Sequence, residues 1–393
     1  MSAEEPDSRL RRSLGLSGAV VVGVGAMLGT GVFAVWTPAY ALAGSGLLIS
    51  LVMAAGIAAL NAISTARLAA IIPRAGGAYA YGREILGRTS GVLAGYAFTI
   101  GKTASAGAAA LTIGAYLWPD RSRLVALAAI AIVLILDLRG VTRSMRVTAV
   151  LIVIVTAILM VLILTSLFAT GEDATTVEPV AEQGIWGIIA GAGVMFVAFA
   201  GYARITVLGE EVRQPHRTIP RAVTISFAIV LVLYAALGVT VVVARDRLGD
   251  LGEAALDTIA RSVGGDPLVW AVTIAAVLAA GAVLLSLIAG VGRTLFAMGD
   301  GGDAPRALAA VGRTTAVPYR AEILAAALAA TVALIGGLGG ALALSGAAIL
   351  TYYAVAHLAA WRRWPTWGAR VVAGIGLVGC LGIAATLVLL SLT

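Results

Sequence analysis

Charge is scarce in this sequence. Only 12% of its 393 residues are Asp, Glu, Lys or Arg, about half the roughly 25% of an ordinary soluble domain. That excludes a fully solvated surface. With 60% of residues hydrophobic and a mean hydropathy of +1.01, it points to a protein whose solvent is the bilayer. Cysteine is limited to Cys380, so neither a disulfide framework nor a thiolate metal centre is available, and the residue reads as a small buried apolar side chain. The two histidines, His216 and His357, have no second His or Cys at ligand spacing, which argues against a metal site. No HExxH, GxSxG or intramembrane Asp pair occurs, so an intramembrane enzyme is disfavoured and no cofactor is expected. Rings of like charge or a repeated filter, expected of a channel, are missing too. The net charge of +7 comes from arginines spread over many short loops without interleaved aromatics, a topology signal and not a nucleic-acid surface.

What is present is a series of hydrophobic stretches near or above the roughly 20 residues that span a bilayer. Helices, not barrel strands, must then satisfy the backbone. The pattern predicts an all-α integral membrane protein of about 11 spans: 14–43, 46–70, 90–118, 123–138, 146–169, 185–208, 222–244, 267–297, 321–337, 340–360 and 370–391. Of the 26 arginines, 21 fall on one side of this arrangement and only Arg121, Arg123, Arg245, Arg247 and Arg261 on the other. By the positive-inside rule the arginine-rich side is cytoplasmic. The expectation is a multi-pass protein of the cytoplasmic membrane, N-terminus inside and C-terminus outside. Residues 1–13 are expected to form a cytoplasmic tail without a cleavage site, and 14–393 a single transmembrane domain.

Within that setting, "GVGAMLGTGVFAV" places Gly23, Gly25, Gly29 and Gly31 inside nine positions of the first span, although glycine weakens a helix interior. The sixth span does the same in "GAGVMFVAFAGYAR", where Gly191, Gly193 and Gly201 flank Phe196, Phe199 and Tyr202. Small-residue helix packing explains one such run. A pair at corresponding places in two five-span halves predicts broken helices 1 and 6 in an inverted repeat, about 14–169 and 185–360, with an extra span at 370–391.

These residues resemble the amino acid/polyamine/organocation superfamily of transporters, with its five-plus-five inverted-repeat fold. "GVGAMLGTGVF" is similar to the family's unwound first-span motif. In family order follow "IPRAGGAYAYGREILG" (72–87), "LDLRGVTRSMRV" (136–147), "FAGYARITVLGEEVRQPHRTIPRA" (199–222) and "GRTLFAMGDGGDAPRAL" (292–308). The resemblance implies a substrate site between the two breaks. Backbone N–H groups around Met27, Leu28, Gly29, Thr30 and Gly31, with Gly25 in the same stretch, would face a substrate carboxylate at the positive end of a half-helix. Carbonyls near Val197, Ala198, Phe199, Ala200 and Gly201 would accept from the substrate ammonium. Phe199 and Tyr202 would pack on the substrate or gate it, and Thr30, Thr103, Ser105 and Ser286 are weaker lining candidates.

Lys102 is the only lysine and sits near mid-depth in the third span, where an ammonium is costly and marks function or a paired group. Several readings stay open: a proton-titrating coupling group, a partner for an acidic substrate side chain, the occupant of a position a sodium ion fills elsewhere, or a structural contact. Where many members carry a carboxylate after the sixth-span Gly-[Phe/Tyr], this chain has Ala203 and Arg204. A pocket with Lys102 and no carboxylate disfavours cationic side chains. The expected function is secondary transport of a small neutral or acidic amino acid by alternating access, sodium-independent, with protons as a candidate partner. An exporter or exchanger of the same fold, or a non-transporting sensor, is the alternative. A charged network in the loop after the sixth span (Glu210, Glu211, Arg213, Arg217) is a gating candidate, and Asp137 beside Arg139 reads as an interfacial pair. Oligomeric state stays open.

Overall fold

The computed structural model of the chain describes residues 15–72, 76–140, 145–169, 184–202, 214–312 and 317–390. Among them the regular structure is helical and no strand occurs. Helices fall where hydropathy predicts spans. Span 1 is interrupted, running as Leu16–Met27, Gly31–Ala34 and Trp36–Ala43. Gly44 (φ 53°) then turns the chain into span 2, Leu47–Ile71. Spans 3, 4 and 5 are Arg88–Leu117, Ser122–Leu138 and Met145–Phe168. Span 6, Gly184–Phe199, passes into a 3-10 turn at Ala200–Tyr202, and its predicted continuation to 208 lies outside the described residues. Pro215–Leu248 holds span 7, and Tyr319–Ile335, Gly337–Arg363 and Trp367–Leu390 are spans 9, 10 and 11. The helix of span 8, Ala255–Asp300, is longer than predicted, because a short additional helix precedes the span and joins it at Gly265, whose φ of 61° only glycine adopts at little cost.

Among the described residues eight helical stretches are long and apolar enough to cross a membrane; the helices at predicted spans 3, 4 and 9 fall short, for two different reasons. Spans 4 and 9 have 17 residues each, about 25 Å of helix, the lower end of what a bilayer needs. Span 3 has 30 residues but is rich in Gly, Ala, Ser and Thr. Its surroundings explain this: from Ala106 to Tyr116 every residue is buried, and the helix packs against spans 4, 8, 9 and 10. The earlier half still exposes Leu93, Tyr96 and Ile100, but a stretch wrapped by protein need not match lipid, and small residues let backbones approach closely. A Cβ on Gly107, for instance, would come within 3.0 Å of the Ala329 carbonyl of span 9.

Span 11 is held by more than apolar contact. His357 of span 10, fully buried, bridges two span 2 side chains: with the proton on Nε2 it donates to Asn61 Oδ1 (2.7 Å) and accepts at Nδ1 from the Ser64 hydroxyl (3.0 Å), while Asn61 Nδ2 has no partner among the described residues. Cys380 Sγ of span 11 also reaches Asn61 Oδ1 at 3.3 Å. Buried polar groups satisfied in this way fix register between helices that greasy packing alone would let slide.

Candidate functional site

The two breaks meet. Helix Leu16–Met27 ends at Leu28, whose ψ of 46° leaves helical geometry while its N–H still donates to Val24 (2.8 Å). The next half-helix starts with Thr30 as N-cap, its carbonyl accepting from Phe33 and Ala34 at 3.0 Å. Among the described residues the N–H groups of Gly29, Thr30, Gly31 and Val32 donate to no backbone carbonyl. Unsatisfied donors of this kind at a helix N-terminus form an anion-binding arrangement. The Thr30 side-chain hydroxyl is also buried without a partner among the described residues.

Glycine is required where the breaks touch. A Cβ on Gly31 would overlap Cα of Ala198, and one on Gly201 would overlap the Ala26 carbonyl and the Met27 nitrogen. These are backbone atoms, which cannot swing aside. Gly25 and Gly29 serve differently: Ile152 of span 5 fills the space beside the first, and Val283 of span 8 the space beside the second, so both make room for neighbouring helices. The remaining predicted residues are distributed around the contact. Met27, Leu28, Ala198 and Ala200 are buried; Val197, Gly201 and Ser286 are partly buried.

Tyr234 of span 7, fully buried, was not singled out by the sequence reading, yet its hydroxyl joins the two breaks. It donates to the Met27 carbonyl (2.7 Å), with the Ala198 carbonyl at 3.4 Å. A tyrosine in an apolar span carries no sequence signal beyond burial; only the meeting of three helices gives it a role. Phe199 is committed to the same neighbour, stacked on Phe227 at 5.1 Å and edge-on to Tyr234 at 5.2 Å. Tyr202 turns the other way, its ring 5.9 Å from Tyr353 of span 10.

Lys102 is partly buried, its Nζ 6.0 Å from the Phe98 ring centroid. From there an aromatic series runs through Tyr352 (5.3 Å from Phe98) and Tyr353 (5.0 Å from Tyr352) to Tyr202. Ser105 of span 3 and Ser345 of span 10 share a hydrogen bond of 2.6 Å, and the Thr103 hydroxyl is buried without a partner among the described residues. Spans 3, 6 and 10 thus connect Lys102 to the second break.

Below this region, on the arginine-rich side, the segment after span 2 is clamped. The Tyr352 hydroxyl accepts from the Ala78 N–H (2.9 Å). Asp303, beyond span 8 and with no side-chain exposure, accepts from Tyr79 (2.8 Å), Arg88 Nε (2.8 Å) and Arg83. Burial alone would raise this carboxyl, but the hydrogen bonds from Arg88 and Tyr79 and the charges of Arg83 and Arg88 outweigh it and hold it below the usual carboxylate range. This network joins two of the quoted motifs. Of the predicted gating group, Glu210, Glu211 and Arg213 lie outside the described residues.

The break in span 1, with its open donors, thus lies against the Ala198–Tyr202 end of span 6 across glycine contacts. The family model described as amino acid permease matches residues 18–370. The chain belongs to the amino acid permease family. It is 42% identical over 390 residues to an uncharacterized transporter of Mycobacterium tuberculosis (strain ATCC 25618 / H37Rv), covering 98% of this chain and 88% of that one. It is 25% identical over 346 residues to the branched-chain amino acid permease BcaP of Bacillus subtilis (strain 168), covering 81% and 74%. To the vacuolar cationic amino acid transporter 4 of Arabidopsis thaliana it is 29% identical over 355 residues, covering 83% of this chain and 58% of that protein. This family member is therefore a multi-pass membrane protein of the transporter class.

Proposed function

We propose that this permease moves a small neutral or acidic amino acid across the cytoplasmic membrane by alternating access around the paired breaks of spans 1 and 6. The observation that carries the reading is the open donor set at Gly29, Thr30, Gly31 and Val32, set against the Ala198–Tyr202 segment through glycine contacts. Donors at a half-helix N-terminus suit the substrate carboxylate, and sixth-span carbonyls suit its ammonium. The site set is Gly25, Met27, Leu28, Gly29, Thr30, Gly31, Lys102, Val197, Ala198, Phe199, Ala200, Gly201, Tyr202 and Ser286. Within it Gly25 and Gly29 act by admitting Ile152 and Val283 close to the break. The repeats are about 14–169 and 185–360, with the arginine-rich side cytoplasmic.

Lys102 near this region disfavours a cationic substrate side chain, which sets the reading apart from the cationic transporter among the relatives and nearer to the branched-chain permease. Transport is sodium-independent in this reading, with Lys102 as the proton-coupling candidate. The test is uptake of single labelled amino acids into proteoliposomes in sodium-free buffer, with and without an inward proton gradient. Gradient-stimulated, saturable uptake of a neutral or acidic amino acid supports the reading. Saturable uptake only of arginine or lysine overturns the substrate class, and no saturable flux of any amino acid overturns the transport reading.

A further inference from the structure

Two acidic side chains are buried at the arginine-rich ends of spans 4 and 9, away from the breaks. Asp137, in the last turn of Ser122–Leu138, is 8% exposed, and Glu322, in the first turn of Tyr319–Ile335, is 2% exposed. Each keeps one buried oxygen, Asp137 Oδ2 and Glu322 Oε2, that has no hydrogen-bond partner among the described residues. Spans 4 and 9 pack on one another and both pack on span 8. There Gly292 leaves the space that Glu322 Cγ occupies, since a Cβ at that position would overlap it.

Asp137 closes span 4 and Glu322 opens span 9 on the same, arginine-rich side of the bundle, where both spans pack on span 8 and Arg293 follows Gly292. Arg293 itself is exposed and donates to neither orphaned oxygen. The interfacial pairing of Asp137 with Arg139 expected from sequence does not form, since Asp137 is buried and Arg139 is exposed. Other charges on the surrounding helices are engaged or turned outward. Arg320 bonds the Tyr319 hydroxyl at 3.0 Å, Arg88 of span 3 bonds Asp303, and Lys102 lies over Phe98.

Two ionised carboxylates with unpartnered oxygens in a shared low-dielectric site repel each other and lack solvation. Protonation of either group removes one of the two buried charges and turns an unpartnered carboxylate into a neutral carboxyl. A metal ion is the weaker occupant. No cluster of three or more His, Cys, Asp or Glu occurs among the described residues, and hard cations take about six or more oxygen ligands. We propose that Asp137 and Glu322 together form a proton-binding site between spans 4, 8 and 9, exchanging with the arginine-rich side and separate from Lys102. The proton comes from bulk water on that side and returns to it; one carboxyl O–H bond forms and breaks, with no redox change. The pair loses its proton as a unit, so its titration belongs to both residues together.

The test reads occupancy without reading transport. Carbodiimides react with protonated carboxyl groups in apolar surroundings, so the full chain in liposomes is labelled with dicyclohexylcarbodiimide and the adduct located by mass spectrometry. The expected result is labelling at Asp137 or Glu322 at about pH 6 that falls about tenfold or more by about pH 9. Absence of adduct at both residues across that range, or labelling that ignores pH, overturns the proposal. Glu322→Gln supplies a second test, because the amide keeps the size of the side chain but is neutral and cannot take up a proton. Labelling of Asp137 at about pH 6 should then drop about tenfold, whereas unchanged Asp137 labelling would show that the two acids do not act as a pair. Since labelling does not depend on substrate, failure here leaves the transport reading intact, and failure of transport leaves the proton site intact.

Discussion

Gly201→Ala tests the central contact most directly. The added Cβ would overlap the Ala26 carbonyl carbon and oxygen and lie 2.7 Å from the Met27 nitrogen. All three are backbone atoms at the end of the first half-helix, so relief requires moving span 6 away from span 1. Overpacking a tight contact costs about 1–3 kcal/mol. If that cost falls only on the conformation in which the breaks touch, its population relative to the alternative drops about 5- to 150-fold; if it falls on every folded state, stability drops instead. One reagent separates the cases. Cys380 is the only cysteine and is fully buried, so a thiol-reactive fluorogenic maleimide reports global unfolding on heating in detergent. The expected outcome for Gly201→Ala is a clear loss of transport rate with a lowered melting temperature or an altered KM. Gly281→Ala in span 8 is the control, because no atom lies within 4 Å of its added Cβ. The reasoning is refuted if both variants transport and melt like the parent.

Three further outcomes follow from the geometry. Tyr234→Phe keeps the ring that packs on Trp36 and Phe199 but removes the hydroxyl that holds the Met27 carbonyl; a loss of about 1–3 kcal/mol for an orphaned buried acceptor should lower the maleimide-reported melting point, and an unchanged melt would deny the hydroxyl its role. Lys102→Ala should abolish proton-gradient stimulation while leaving gradient-independent exchange measurable, and retained stimulation would remove Lys102 as the coupling group. For Asp303→Asn the sign follows from the lowered carboxyl: because the folded form holds its proton less tightly than the unfolded one, the stabilisation is present above the ordinary Asp range and is lost as pH falls through the folded value. The variant should therefore melt lower than the parent at neutral pH, and the gap should close below about pH 4; a gap independent of pH would locate the effect in packing and not in charge.

Much of this was legible in the chain because the bilayer leaves few alternatives. Low charge and recurrent apolar stretches dictate helices, since backbone groups in lipid have no other way to be satisfied. Glycine clustering located the break in span 1, where the helix ends at Met27; in span 6 the α-helix gives way at Phe199 to a 3-10 turn ending at Tyr202, and the residues that follow lie outside the described ones. Hydropathy understates span 3, whose Gly-, Ser- and Thr-rich helix is buried from Ala106 to Tyr116 against neighbouring spans. It also missed the extra helix before Gly265, because a short helix outside the bilayer has no need of an apolar span.

The sequence by itself determined the solvent, the helical class and the place where span 1 comes apart, because each follows from local composition or from glycine's backbone freedom. Only the tertiary structure decided which groups meet. Tyr234 lies 207 positions from Met27 in the chain yet donates to its carbonyl. Asp303 gathers Tyr79, Arg83 and Arg88 from the far side of span 2, and Asp137 is buried where span 4 packs on spans 8 and 9 while its neighbour Arg139 is exposed. No periodicity encodes such pairings. They arise when helices pack, because a buried polar group must find a partner or a proton wherever the fold brings one within reach.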